Sequence, residues 1–278
     1  MSAPRPGRIA ARMAQAAAEG RPALVAYVCA GDPDLETTFA VVRALEAAGA
    51  GVVELGVPFS DPVADGPVVQ QAAMRALRAG TRLGDVLDLV GRLRDAGCTV
   101  PILLFGYLNP MLARGLDVVA AQAARRGVDG LLVVDLPVEH AARHLAAAWD
   151  LGLDTVLLAS PTTRPERLAR IAEASTGFVY WISRLGVTGD DRAPATDLAR
   201  RVAAVRQQVG RPVATGFGIG RPEQVAALRG ACEGVVVGSA FVRRIAAGPP
   251  SGAARRAAEL ARRLVAAAHG HDEGDERC

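Results

Sequence analysis

The chain has 278 residues, half of them hydrophobic, and a net charge of +3. That length suits one large domain or two small ones, and no apolar run reaches the roughly 18 residues a membrane helix needs. Lysine is absent, so all 32 basic residues are arginine; they are interspersed with Asp and Glu without an aromatic-flanked basic stripe, which argues against a nucleic-acid partner.

In chain order, the first twenty residues are broken by Arg, Gln and Glu and do not form a secretory signal. A cytoplasmic protein is expected, with one helix in this stretch that closes the bottom of the fold. Short β-branched runs then alternate with Ala/Leu/Arg-rich amphipathic runs. Strands are predicted at 24–29, 51–55, 100–105, 130–134, 155–158, 178–182, 212–215 and 234–237. Helical periodicity marks 35–48, 83–96, 118–126, 139–149, 165–174, 197–209, 222–229 and a last helix at 253–268. Eight strands, each followed by helix, predict an α/β fold, a single (β/α)8 TIM barrel spanning 1–268, with 269–278 as a polar C-terminal tail. The near-continuous Val/Leu strands suit a parallel sheet covered on both sides. An open doubly wound sheet is the alternative and would need a reversal of strand order.

Composition also bounds the chemistry. Without lysine, no side chain can form a Schiff base with a carbonyl substrate or with pyridoxal phosphate, and no cofactor is expected. Cys29, Cys98, Cys232 and Cys278 are widely spaced and form no C-x-x-C pair, so zinc ribbons and disulfide scaffolds are not expected. Cys29 and Cys98 lie in apolar surroundings and read as packed thiols. His140 and His144 are spaced i, i+4 on a predicted outer helix and read as solvated, so no metal site is expected.

One stretch stands out, VVELGVPFSDPVADGPVVQ at 52–70, because it puts an acid inside an apolar strand. Strand alternation turns Val53, Leu55 and Val57 to the helix layer and Val52, Glu54 and Gly56 inward. Glu54 then lies near the C-terminal end of its strand, where barrel enzymes keep their chemistry. Partial desolvation there raises a carboxyl pKa and suits acid–base work near neutrality. A structural Glu paired with Arg is the bland alternative. The loop that follows carries Asp61, Asp65 and three prolines, and proline stiffens the backbone that positions a side chain. Either aspartate could instead cap the next helix.

Glycine turns follow the last three strands: Ser183-Arg-Leu-Gly-Val-Thr-Gly189, Gly216-Phe-Gly-Ile-Gly220 and Gly238-Ser239. Successive N–H groups in such turns form an anion cradle. A short helix starting near Ser239 would aim its positive end at the same place, where barrels commonly bind phosphate.

Eight segments carry a family resemblance: AGDPD (30–34), ELGVPFSDPVADGPVVQ (54–70), GYLNPM (106–111), GVDGLLVVDLP (127–137), SPTT (160–163), SRLGVTG (183–189), GFGI (216–219) and VVVGSAFV (235–242). From about Leu24 to Arg243 the chain resembles the tryptophan synthase alpha subunit family, the indole-3-glycerol-phosphate lyases. The resemblance implies retro-aldol cleavage of indole-3-glycerol phosphate to indole and glyceraldehyde 3-phosphate. It implies Glu54 as general acid–base, Asp65 at the indole nitrogen and Tyr180 beside the substrate. Gly189, Gly216, Phe217, Gly218, Gly238 and Ser239 would hold the phosphate, and Tyr27, Phe105, Leu132 and Val134 would line the indole pocket. The loops after strands two and six are expected to close over substrate. Arg114 stands where the family usually has an aromatic residue, Val118 or Val119 replaces a Phe, and Leu185 takes a place where small residues are common. The partner implied is a tryptophan synthase beta subunit in an alpha2beta2 assembly. The alternatives are a stand-alone lyase releasing free indole, a non-catalytic barrel that binds a phosphorylated indole and regulates a partner, and another phosphosugar barrel such as an isomerase.

Overall fold

The computed structural model describes residues 7–182, 195–216 and 218–270. Strands β1 (Ala23–Cys29), β2 (Val52–Gly56), β3 (Ile102–Gly106), β4 (Gly130–Val133), β5 (Asp154–Ala159), β6 (Phe178–Ile182), β7 (Val213–Gly216) and β8 (Gly234–Val237) form a closed parallel barrel. Each strand pairs with the next, and β8 returns to β1 with Ala23 opposite Gly234. The helices are α1 (Arg8–Glu19), α2 (Leu35–Ala47), α3 (Pro67–Arg78), α4 (Leu83–Asp95), α5 (Leu108–Leu112), α6 (Leu116–Arg126), α7 (Val138–Asp150), α8 (Pro165–Ala174), α9 (Ala195–Val209), α10 (Pro222–Ala226), α11 (Ser239–Ala246) and α12 (Ala253–His269). None of the described helices is long and apolar enough to cross a membrane.

The structure departs from the sequence expectation in two places. The third strand starts at Ile102 rather than at 100, because Pro101 has no N–H to donate; its carbonyl instead accepts from Val53 N at 2.9 Å. Helix α3 is not among the predicted helices; its buried face is Ala72, Ala73 and Ala76, opposite a polar face carrying Gln71, Arg75 and Arg78. It starts at Pro67, whose missing N–H costs nothing at the first helical position.

The two faces of each strand separate two cores. Val53 and Leu55 of β2, Leu104 of β3 and Val179 of β6 pack outward against the helices. Val25, Val52, Leu103, Leu132, Val156, Phe178 and Val236 fill the barrel interior. The floor of that interior is sealed by α1, which contributes the fully buried Ile9 and Met13. Burying two such side chains stabilises the fold by about 2–3 kcal/mol each.

A carboxylate from the barrel caps this plug. Asp154, the first residue of β5, accepts from Gly7 N at 3.2 Å, Ile9 N at 3.0 Å and Ala10 N at 3.0 Å. It thus satisfies donors that the helix start leaves without intrahelical partners and places a negative charge at the helix N-terminus. Nearby, Asp129 joins Arg8 at 2.9 Å, Arg94 at 2.6 Å and Ile102 N at 2.7 Å. These acids lie at strand starts, away from the mouth, and hold the structure together.

Asp154→Ala is expected to lower stability by about 2–4 kcal/mol, because buried N–H groups lose their acceptor. A thermal melt read by circular dichroism checks this. The cavity at the other end should keep its ligand affinity at a temperature where the variant is folded.

Candidate active site

Glu54 occupies the middle of β2, opposite Tyr27 on β1 and Leu103 on β3. Its residue is 1% exposed, and Oε1 has no hydrogen-bond partner among the described residues. The inward orientation expected from strand alternation is the one observed, and no arginine pairs with it. Burial alone pushes the carboxyl up to about 8, since a desolvated carboxylate lacks the water that would stabilise its charge.

The second acid follows on the β2–α3 loop. Asp65 does not cap α3: Gly66 holds that position, with no side-chain cap. Its Oδ2 accepts instead from the Tyr107 hydroxyl at 3.0 Å, and that hydroxyl accepts from Ala64 N at 3.1 Å. Burial pushes Asp65 up to about 6, with the Tyr107 hydrogen bond acting in the opposite direction. Asp65 is therefore mostly ionised at neutral pH, whereas Glu54 is mostly protonated. Asp61 stays exposed at the loop surface, bonded to Ser60 Oγ at 2.5 Å.

Tyr107 was not singled out from the sequence, although it lies in the GYLNPM segment directly after β3. The ring packs beside Phe59 with centroids 5.3 Å apart. A second contact that sequence reading missed is Arg75 on α3, which grips the buried Asp32 bidentately at 2.7 and 2.8 Å. It ties the loop after β1 to the helix that follows the Asp65 loop.

Both acids face one cavity of about 930 Å3 at the strands' C-terminal mouth. Tyr27, Phe105, Val134, Leu158 and Tyr180 form its apolar wall. Leu132 corrects the predicted pocket: it is fully buried in the barrel core and is absent from the cavity wall, with Leu158 of β5 lining it instead.

The glycine turns meet the same cavity. Gly238 is the N-cap of α11, and Gly238, Ser239 and Ala240 line the wall, so first-turn N–H groups and the positive end of the helix face the space. Gly218, at φ +79°, lines it from the loop after β7. Gly216 ends β7 beneath them; a Cβ there would lie 2.6 Å from the Tyr180 hydroxyl. Gly189, the rest of the loop after β6 and Phe217 lie outside the described residues. The outer-helix histidines differ from one another: His140 is exposed, but His144 is partly buried on α7. Among the described residues no group of three His, Cys, Asp or Glu is placed to hold a metal ion.

Fold and site together define a (β/α)8 barrel of the enzyme class, with two differently poised carboxyls and a glycine-lined helix start facing one cavity at the strands' C-terminal mouth. A profile of the family described as "Tryptophan synthase alpha chain" matches residues 13–273. Tryptophan synthase alpha chains of Solibacter usitatus and Geobacter sp. are each 51% identical to it, over 227 and 236 residues. These alignments cover 82% and 85% of this chain and 85% and 88% of those relatives. The crystal structure of tryptophan synthase subunit alpha from Legionella pneumophila superposes with a TM-score of 0.86 at 33% identity, covering 95% of this chain and 99% of that one. The chain belongs to the tryptophan synthase alpha chain family, and its activity is that of a carbon–carbon lyase cleaving indole-3-glycerol phosphate.

A raised carboxyl pKa has a defined effect on stability. Between the ordinary carboxylate range and about 8, folded Glu54 holds a proton that the unfolded chain has lost. The contribution of this group is fully present below the unfolded pKa and disappears as pH rises through about 8. Glu54→Gln is therefore expected to melt above the parent at pH 8.5 and near it at pH 4.5. Melting curves of both proteins across that range check the widening gap.

Proposed function

We propose that Glu54 and Asp65 divide the proton transfers of the lyase reaction. Protonated Glu54 gives its proton to indole C3 while ionised Asp65 takes the proton of the ring nitrogen. The ring then becomes an electron sink. The carboxylate left on Glu54 removes the proton of the hydroxyl on the carbon joined to C3. That carbon becomes the aldehyde of glyceraldehyde 3-phosphate as the bond to C3 breaks. The bonding pair flows into the ring, and the nitrogen recovers its proton from Asp65. Each acid returns to its starting state, and no external oxidant, reductant or cofactor takes part.

The observation that carries this reading is the buried Glu54 carboxyl, whose Oε1 has no partner among the described residues, facing the same cavity as Asp65. Tyr107 supports it by orienting the Asp65 carboxylate. The apolar wall suits an indole ring, with Tyr27, Phe105, Val134 and Tyr180 against its faces and edges. Gly216, Gly218, Gly238 and Ser239 would take the phosphate through backbone N–H groups and the α11 helix end, with Gly189 and Phe217 assigned to the same role by the family resemblance alone.

The partner proposed is a tryptophan synthase beta subunit, in the cytoplasm. Structures of tryptophan synthase from Mycobacterium tuberculosis match this chain with TM-scores of 0.82 to 0.84. Val63 on the β2–α3 loop, Leu112 on α5 and Val118 on α6 are 79%, 45% and 50% exposed. Apolar side chains this open on the β2–α3 loop and on α5 and α6 are suited to contact with another subunit.

Release of indole and glyceraldehyde 3-phosphate from indole-3-glycerol phosphate tests the chemistry. Glu54→Gln and Asp65→Asn are each expected to lower kcat at least about a hundredfold, and Tyr107→Phe about tenfold through loss of one orienting hydrogen bond. An Asp65→Asn loss below tenfold would remove Asp65 from the proton path. For the partner, added beta subunit should co-purify with the chain and raise its turnover. Strong unassisted turnover without binding would assign it instead to free indole release.

A further inference from the structure

Among the polar groups of the cavity wall that these roles leave unused is the hydroxyl of Tyr27. Its ring lies edge-on to Phe105, with centroids 5.2 Å apart at 77°. At one end it touches the anion cradle: a Cβ on Gly238 would sit 3.7 Å from Tyr27 Cβ and Cδ1. At the other end its hydroxyl fills the place of a side chain at Gly56, where a Cβ would be 2.4 Å from the phenolic oxygen. Gly56 shares the inward face of β2 with Glu54, and Tyr27 is the register partner of Glu54 itself. The ring thus runs from the cradle to the acid, the same gap that the three-carbon chain of the substrate must bridge between phosphate and indole.

The hydroxyl makes no hydrogen bond to an oxygen or nitrogen of the described residues, and the neighbouring Cys29 thiol is a weak partner. Phenylalanine would supply the same apolar wall but no hydrogen-bond donor to the cavity that Tyr27 lines. Burial, together with the surrounding Cys29, Asp65, Glu54 and Tyr107, pushes the phenol well above its ordinary range. It therefore remains an O–H donor at any pH at which the enzyme works.

We propose that the Tyr27 hydroxyl donates a hydrogen bond to a hydroxyl of the substrate's glycerol chain and selects a hydroxylated chain over a deoxy one. This rests on the lyase reading above and gives Tyr27 a specificity role in addition to its apolar contact with the ring. Gly56 is the backbone counterpart of that role, since any side chain there would displace the hydroxyl.

The test compares the parent with Tyr27→Phe on two ligands. One is indole-3-glycerol phosphate, read as kcat/KM. The other is an indole bearing an unsubstituted propyl phosphate chain at C3, read as its inhibition constant in the same assay. Tyr27→Phe is expected to lower kcat/KM for the hydroxylated substrate about tenfold, the worth of one hydrogen bond. It should change the inhibition constant of the deoxy ligand less than twofold, with no fall in melting temperature. Equal changes for both ligands would reduce Tyr27 to wall packing, and no change for either would leave its hydroxyl without a role; each overturns the proposal. A parent that does not cleave the substrate would instead overturn the lyase reading and this inference with it, so the two failures are distinguishable.

Discussion

The structure depends on a carboxyl group kept out of water without a partner. Glu54 is inside a closed barrel, its Oε1 makes no hydrogen bond among the described residues, and burial moves its pKa up to about 8. Pairing it with arginine would have made it an inert anion. Solvating it would have returned it to the ordinary carboxylate range. The rest of the mouth can be understood as the means of keeping this group dry and protonated while giving it access to one ligand. Glycines at the ends of β2 and β7 leave room for phenol rings, and apolar side chains complete the wall.

The two ends of the barrel treat acids in opposite ways. At the floor, Asp154 and Asp129 are saturated with backbone N–H groups and arginines. Those hydrogen bonds act against the effect of burial on their pKa, and the acids hold α1 and β3 in place. At the mouth, Glu54 is left without such a partner, and Asp65 has a single phenol. The separation lets stability be concentrated where no chemistry occurs, while the strained electrostatics of the site are carried by a rigid frame.

The two mouth acids are poised differently by their surroundings rather than by their identity. Asp65 is on a loop and receives a hydrogen bond from Tyr107, so it ionises near 6, while Glu54 in the strand waits until about 8. Between those values the pair holds one proton on the strand and one negative charge on the loop. That is the starting condition that the proposed proton transfers at the ring require.

Much of this was legible in the chain alone. The alternation of β-branched and amphipathic runs marks eight strands, and a period of two turns Glu54 inward together with Val52 and Gly56. The glycine turns and the long acidic segment point to the mouth and to the family. Both properties are local, determined by residues a few positions apart. What needed the tertiary structure is contact between residues distant in the chain. Tyr107 reaches Asp65 across 42 positions and Arg75 reaches Asp32 across 43. The hydroxyl of Tyr27 comes to lie over Gly56, and Leu132 drops below the cavity that its sequence position suggested. Periodicity specifies which way a side chain points; barrel closure decides what it meets there and how much water remains, and those two quantities set the pKa values on which the chemistry depends.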